Sequence, residues 1–203
     1  MNLYEIINKL EINKGDKILV SSNIVRILIN FKKENIKFNP NYIIDLLKEK
    51  IGKDGTLLFP TFNWDFCRGK TFNYHLTPSK TGTLSQAALK RNDFSRTLNP
   101  IYSFAVTGKN KKYICNLKHK NCFGLDSPFG YLIKNRGKHL FIDLKWRKNI
   151  GLNATGFIFH HVAEQMAKVK YRYFKEFKGF YINKNNIKKS FSTKFFVKDL
   201  NLK

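Results

Sequence analysis

The apolar positions of the first sixty residues switch between two spacings. From Leu3 to Leu10 the apolar side chains Ile6, Ile7 and Leu10 fall on one side of a helix, and Gly15-Asp16 breaks the run. Lys17-Ile-Leu-Val20 is then a short continuous apolar stretch, the mark of a buried strand. Ser21-Ser22-Asn23 leads into Ile24–Phe31, which fits a second helix capped by Ser22 or Asn23. Asn39-Pro40 opens a third helix over residues 41–51, and Gly52-Lys-Asp-Gly55 closes it ahead of another apolar strand, Thr56-Leu-Leu-Phe-Pro60. Strand and helix alternating in this way predict an α/β fold, a three-layer α/β/α sandwich around a central mixed sheet.

Residues 61–80 lose any period and turn aromatic, with Trp64, Phe66, Phe72, Tyr74 and His75. A loop of that length either shapes a site or folds onto the core as a lid. Helical patterns follow at 81–91, at 111–117 and, with a serine cap and first-turn proline, from Ser127; Arg96–Gly108 reads as a loop entering a strand and Lys138–Leu144 as a strand. Past residue 170, alternating runs split by Asn183-Lys-Asn-Asn186 predict a C-terminal β-hairpin. The chain reads as a single domain, 1–203, whose basic hairpin occupies 171–203.

One segment carries recognisable chemistry. In Thr155-Gly-Phe-Ile-Phe-His-His-Val-Ala-Glu164, a helical conformation places His161 and Glu164 on one face and turns His160 about 100° away. A histidine beside a carboxylate is a general base with its orienting partner; it is also what two satisfied histidines on a packing helix look like.

Composition narrows the setting. Net charge is +24, with 38 Lys+Arg against 14 Asp+Glu. The lysines are dispersed among asparagine and isoleucine instead of forming an arm, which argues against a dedicated nucleic-acid binder and for a surface that tolerates phosphate-bearing ligands. Three cysteines, Cys67, Cys115 and Cys122, form no C-x-x-C pair, so neither a disulfide framework nor a metal site is expected. No apolar run is long enough to span a bilayer and nothing resembles a signal peptide; a cytoplasmic protein with no membrane partner is the expectation.

Taken in order, Gly15-Asp-Lys-Ile-Leu-Val-Ser-Ser22, Gly55-Thr-Leu-Leu-Phe-Pro-Thr-Phe62, Thr81-Gly82-Thr-Leu84, Arg96-Thr-Leu-Asn-Pro100, Ser103-Phe-Ala-Val-Thr-Gly108, Phe123-Gly124 with Asp126-Ser-Pro-Phe129, and His161-Val-Ala-Glu164 with Tyr171-Arg-Tyr173 resemble the aminoglycoside 3-N-acetyltransferase family. The resemblance covers roughly residues 15–180. It implies an acyltransferase that moves acetyl from acetyl-CoA to an amine of an amino sugar, with His161 and Glu164 at the motif positions. Ser21-Ser22-Asn23 stands where members usually have His-Ser-Ser, and Arg96-Thr97-Leu98-Asn99-Pro100 where they have Arg-Ser-x-His-Pro. The chain also stops sooner after the motif than usual members.

The chemistry then assigns expectations. His161 is the base and Glu164 fixes its tautomer. Ser22, with Asn23, is the first choice for cofactor and oxyanion contacts and Ser103 the second, each equally readable as an ordinary cap or strand hydroxyl. Arg96 is either a fork for a CoA phosphate or a loop arginine. Trp64 and Asp65 either line an acceptor pocket or serve the loop itself. Because free aminoglycosides are polycations, the charge favours a nucleotide-linked or otherwise anionic amino sugar of surface-polysaccharide synthesis. The alternatives are an aminoglycoside 3-N-acetyltransferase proper, an O-acetyltransferase, or a lapsed enzyme serving as a polyanion-binding module. A homo-oligomer is compatible with the sequence.

Overall fold

A computed structural model describes residues 2–144, 157–198 and 200. Five strands build the central sheet: β1 (Lys17–Ser22), β2 (Thr56–Pro60), β4 (Ser95–Arg96), β5 (Phe104–Gly108) and β6 (Lys138–Ile142). Their order is β4-β5-β2-β1-β6, with β1 parallel to β2 and β6, and β5 antiparallel to β2 and β4. This is the mixed sheet that the sequence predicts. β2 is buried along its whole length because it is central and covered on both faces, which is why its sequence is a continuous apolar run. β6 is an edge strand, and its exposure is correspondingly mixed.

Alternation along the strands divides the core in two. Ile18, Val20, Leu57 and Phe59 face helices α1 (Leu3–Asn8), α3 (Pro40–Ile51) and α4 (Thr83–Leu89), with α2 (Val25–Lys33) at the margin. α3 starts as its sequence dictates: the Asn39 side chain accepts from the Asn41 amide at 3.0 Å and Pro40 fills the first turn. It buries Ile43, Ile44, Leu46, Leu47 and Ile51, each contributing about 1.5–3 kcal/mol of transfer free energy.

Leu19, Leu58, Phe104 and Val106 face the opposite layer. That layer combines α5 (Lys111–Cys115), α6 (Pro128–Lys134) and α7 (Phe157–Met166) with a second, three-stranded sheet of β3 (Phe72–Asn73), β7 (Tyr173–Ile182) and β8 (Lys188–Val197). The sandwich is therefore α on one side and helix plus hairpin on the other. The Asn183–Asn186 turn signal does mark the hairpin between β7 and β8. The aromatic loop holds a 3-10 turn at Asp65–Arg68 and the short β3, which pairs parallel to β7. It is packed, with Phe62, Phe66 and Phe72 each at most 2% exposed. Among the described residues no helix is long and apolar enough to cross a membrane.

Candidate active site

α7 carries the histidine-glutamate pair; Thr155 and Gly156, at the start of that motif run, lie outside the described residues. His161 Nδ1 is 3.0 Å from Glu164 Oε2, one helical turn on. The ring stacks on Phe123 with centroids 5.8 Å apart. Burial lowers the imidazole pKa below its usual 6.5, the Glu164 hydrogen bond opposes this, and the Arg172 charge adds to the lowering. The resulting histidine is neutral at pH 7, and with Nδ1–H held by the carboxylate its basic lone pair is on Nε2.

Glu164 is 5% exposed and is the hub of the arrangement. Besides His161 it receives the Tyr171 hydroxyl at 3.0 Å and an ion pair from the Nε of the buried Arg172. His160 Nε2 approaches its other oxygen, Oε1, at 3.1 Å from a half-exposed position, so His160 is more open to solvent than a packing residue. Burial pushes the carboxyl pKa up, but hydrogen bonds from Arg172, His161 and Tyr171 outweigh it and bring the value to about 2. Tyr171 and Arg172 lie between the end of α7 and the start of β7. Their adjacency in sequence to the motif is the signal that could have assigned them.

This depressed value links the site to stability. The ordinary value of 4.5 applies to the unfolded chain, so the contribution of the ionised Glu164 is complete above about pH 4.5 and is lost as pH falls toward about 2. Arg172→Met leaves a buried carboxylate short of its cation and is expected to cost about 3–5 kcal/mol in urea unfolding at pH 7. The deficit is expected to shrink on acidification, and a deficit independent of pH would contradict it.

Ser22, Asn23 and Trp64 come together elsewhere, at the C-terminal end of β1. With Lys80, Thr81, Gly82 and Thr83 they line a cavity of about 330 Å³. Asn23 Oδ1 accepts from the Val25 amide at 3.2 Å, so Asn23 rather than Ser22 serves the start of α2. Gly82 sits at φ 102°, and a Cβ there would lie 3.4 Å from the Ser22 carbonyl oxygen; only glycine lets the loop approach the strand end in this way. Lys80, Gly82 and Thr83 also border a larger cavity of about 670 Å³, lined further by Asn39, Asn41, Lys90 and Arg91. The two share Lys80, Gly82 and Thr83, and together they make a groove with Lys80, Lys90 and Arg91 in its walls. Trp64 edges onto Tyr102 at 6.5 Å, Tyr102 onto Phe123 at 5.0 Å, and Phe123 carries His161, so one aromatic train joins groove to histidine.

Three expected site residues have protein partners of their own. Arg96 is 2% exposed and its guanidinium is used up on Ser103 Oγ (3.0 Å) and the carbonyls of Tyr74 (3.3 Å), Thr77 (2.6 Å) and Thr61 (3.1 Å), over the Phe72 ring. Ser103 is fully buried beneath it and donates to the Thr61 carbonyl at 2.9 Å. Both tie the aromatic loop to the sheet, and neither lines the groove. Asp65 lies beside Trp64, and hydrogen bonds from Lys80 and Arg68 hold its carboxyl at about 2, with Lys70 nearby, so its charge is paired with protein cations.

A further pair escaped sequence reading. Ser21, 1% exposed at the end of β1, and His139 on β6 meet with Oγ and Nε2 2.8 Å apart, and the His139 ring edges onto Phe159 of α7. Burial brings the His139 pKa to about 4, so this imidazole too is neutral.

The fold is one shared with solved acetyltransferase structures. The structure aligns with AAC-IIIb bound to CoASH at a TM-score of 0.74, 18% identity, over 96% of this chain and 74% of that one. Aminoglycoside acetyltransferase AAC(3)-Xa aligns at 0.75 and 18% identity over 94% and 69%, and the YokD protein from Bacillus subtilis at 0.71 and 19% over 97% and 81%. The sequence itself matches the aminoglycoside 3-N-acetyltransferase family over residues 32–198, and the chain belongs to that family. A search of curated proteins finds no match. These comparisons lend nothing to a nucleotide-linked sugar or to polysaccharide synthesis, and favour the aminoglycoside alternative among the expectations.

Proposed function

We propose that this protein transfers acetyl from acetyl-CoA to a primary amine of an aminoglycoside-class amino sugar, with His161 as general base. The observation that carries the reading is the neutral His161 held by the ionised, buried Glu164, itself locked by Arg172 and Tyr171. Nε2 accepts the proton lost by the amine as its nitrogen bonds to the thioester carbonyl carbon; Glu164 stabilises the imidazolium formed; the C–S bond breaks and the proton passes to the departing CoA thiolate. The groove at Ser22, Asn23, Lys80 and Thr83 suits the phosphate-bearing donor, and a structural neighbour of the same fold was solved with CoASH. Direct transfer is supported over a thiol intermediate because burial pushes Cys67 up to about 11 and Cys115 and Cys122 up to about 12, leaving all three protonated.

One observation favours a second reading of the acceptor. With Asp65 neutralised by three cations and Lys80 in the groove wall, an anionic amino sugar meets a better-matched surface than a polycation does. Steady-state acetylation of kanamycin-type substrates beside a nucleotide-linked amino sugar decides between them. Faster turnover of the polycation is expected; preference for the nucleotide sugar overturns the main reading.

The pH dependence tests the base. Since His161 titrates below 6.5, kcat/KM is expected to be flat near neutrality and to fall on the acid side below that value. Glu164→Gln removes a hydrogen bond that raises the imidazole pKa, so the acid limb is expected to move to lower pH as the plateau drops. An acid limb above 6.5 removes His161 from the role.

A further inference from the structure

The hairpin presents to solvent a face whose makeup is hidden by the sequence, because its members alternate with core residues on two strands. The register pairs Phe174 with Phe196, Glu176 with Lys194, Lys178 with Ser192 and Phe180 with Ser190, and next to the turn Ile182 with Lys188. Period-two alternation puts these ten side chains on one face, where Phe196 alone is buried, and Phe177, Tyr181, Phe195 and Thr193 on the other, which packs into the core. The outward face retains two large exposed rings, Phe174 at 47% and Phe180 at 52%. Each lies beneath an ammonium group: Lys194 Nζ is 5.0 Å from the Phe174 centroid and Lys188 Nζ 4.4 Å from that of Phe180. The one carboxylate there, Glu176, is engaged by Ser192 at 2.5 Å and by Lys178 at 3.4 Å. Beside Phe180 lies a shallow depression of about 460 Å³ lined by Lys178, Gly179, Ser190, Phe191 and Ser192.

We propose that this face is a platform for single-stranded nucleic acid, with Phe174 and Phe180 stacking unpaired bases and Lys178, Lys188 and Lys194 tracking the phosphates between them. Six positions apart on one strand, the rings stand ~20 Å from each other, room for a few nucleotides. Exposed aromatics on a sheet surface beside cations are the means by which sheets hold unstacked bases. A duplex hides its base faces and would use only the lysines. An anionic membrane is less well matched: the rings lie along a flat ladder, while the hairpin tip, Asn183-Lys-Asn-Asn186, is polar. Three of the lysines that are dispersed in sequence, Lys178, Lys188 and Lys194, are brought by the register onto one face. The inference is independent of the acetyltransferase reading, since none of these residues belongs to the groove or to the His161 cluster.

The test is fluorescence anisotropy with labelled twelve-nucleotide oligo-U and oligo-dT on the full chain. The intact protein is expected to bind with a marked salt dependence, and Phe174→Ala with Phe180→Ala to bind at least tenfold more weakly at constant salt. Lys188→Gln with Lys194→Gln, which removes two cations but keeps both phenylalanines, is expected to flatten the salt dependence. Lys9→Gln with Lys53→Gln, away from the face, should stay within twofold of the parent, and acetyl transfer should be unchanged in all three variants. Absence of binding, equal binding by the phenylalanine variant, or equal or tighter binding of a duplex of the same length or of phosphatidylglycerol vesicles overturns the proposal.

Discussion

His161→Ala is expected to lower kcat/KM for acetyl transfer by about 10²–10⁴-fold while leaving CoA affinity and the thermal midpoint near those of the parent. The size follows from the loss of a general base in a step whose nucleophile must shed a proton. The small effect on stability follows from the ring being partly exposed where it stacks against Phe123. Glu164 keeps Arg172 and Tyr171 in the variant, so no buried charge is stranded. Thiol release from acetyl-CoA with an aminoglycoside, beside calorimetry with CoA, measures both quantities. Undiminished turnover would transfer the role to His160, which approaches the other Glu164 oxygen at 3.1 Å.

Arg96→Ala is expected to cost about 3–5 kcal/mol of stability in urea unfolding, the largest loss foreseen for a residue outside the base cluster. Its guanidinium is the common donor to Ser103 and to three loop carbonyls in a buried setting, and alanine leaves these acceptors without water to replace it. Arg96→Lys should recover only part of the loss, since one ammonium cannot span the fork's reach. The folded fraction should bind CoA as the parent does. Weaker CoA binding at full folding would restore the phosphate contact that the sequence suggested.

What could be read in the chain was local. Asn39-Pro40 sets the start of α3, Ser127-Pro128 that of α6, the runs at 17–20 and 56–60 are central strands, and Asn183–Asn186 turns the hairpin, because each signal and its effect lie within a few residues. The histidine-glutamate spacing was legible for the same reason: i,i+3 on a helix is a contact in itself. Partners chosen by the fold were not. Arg96 gave no sign that its fork would close on Thr61 and Thr77, nor Asp65 that Lys80 would neutralise it from fifteen residues away. Ser21 and His139 are 118 positions apart, and no pattern along the chain couples them.

That last separation has a kinetic side. The hairpin strands are neighbours in sequence and can pair within microseconds, whereas β6 must travel back across most of the chain to lie beside β1, a closure whose loop entropy slows the search. Until β6 docks, Phe159 has no His139 ring to rest on and α7 no seat on that side. Refolding is therefore expected to recover hairpin structure well before catalytic competence, with activity returning in step with closure of the β1–β6 seam.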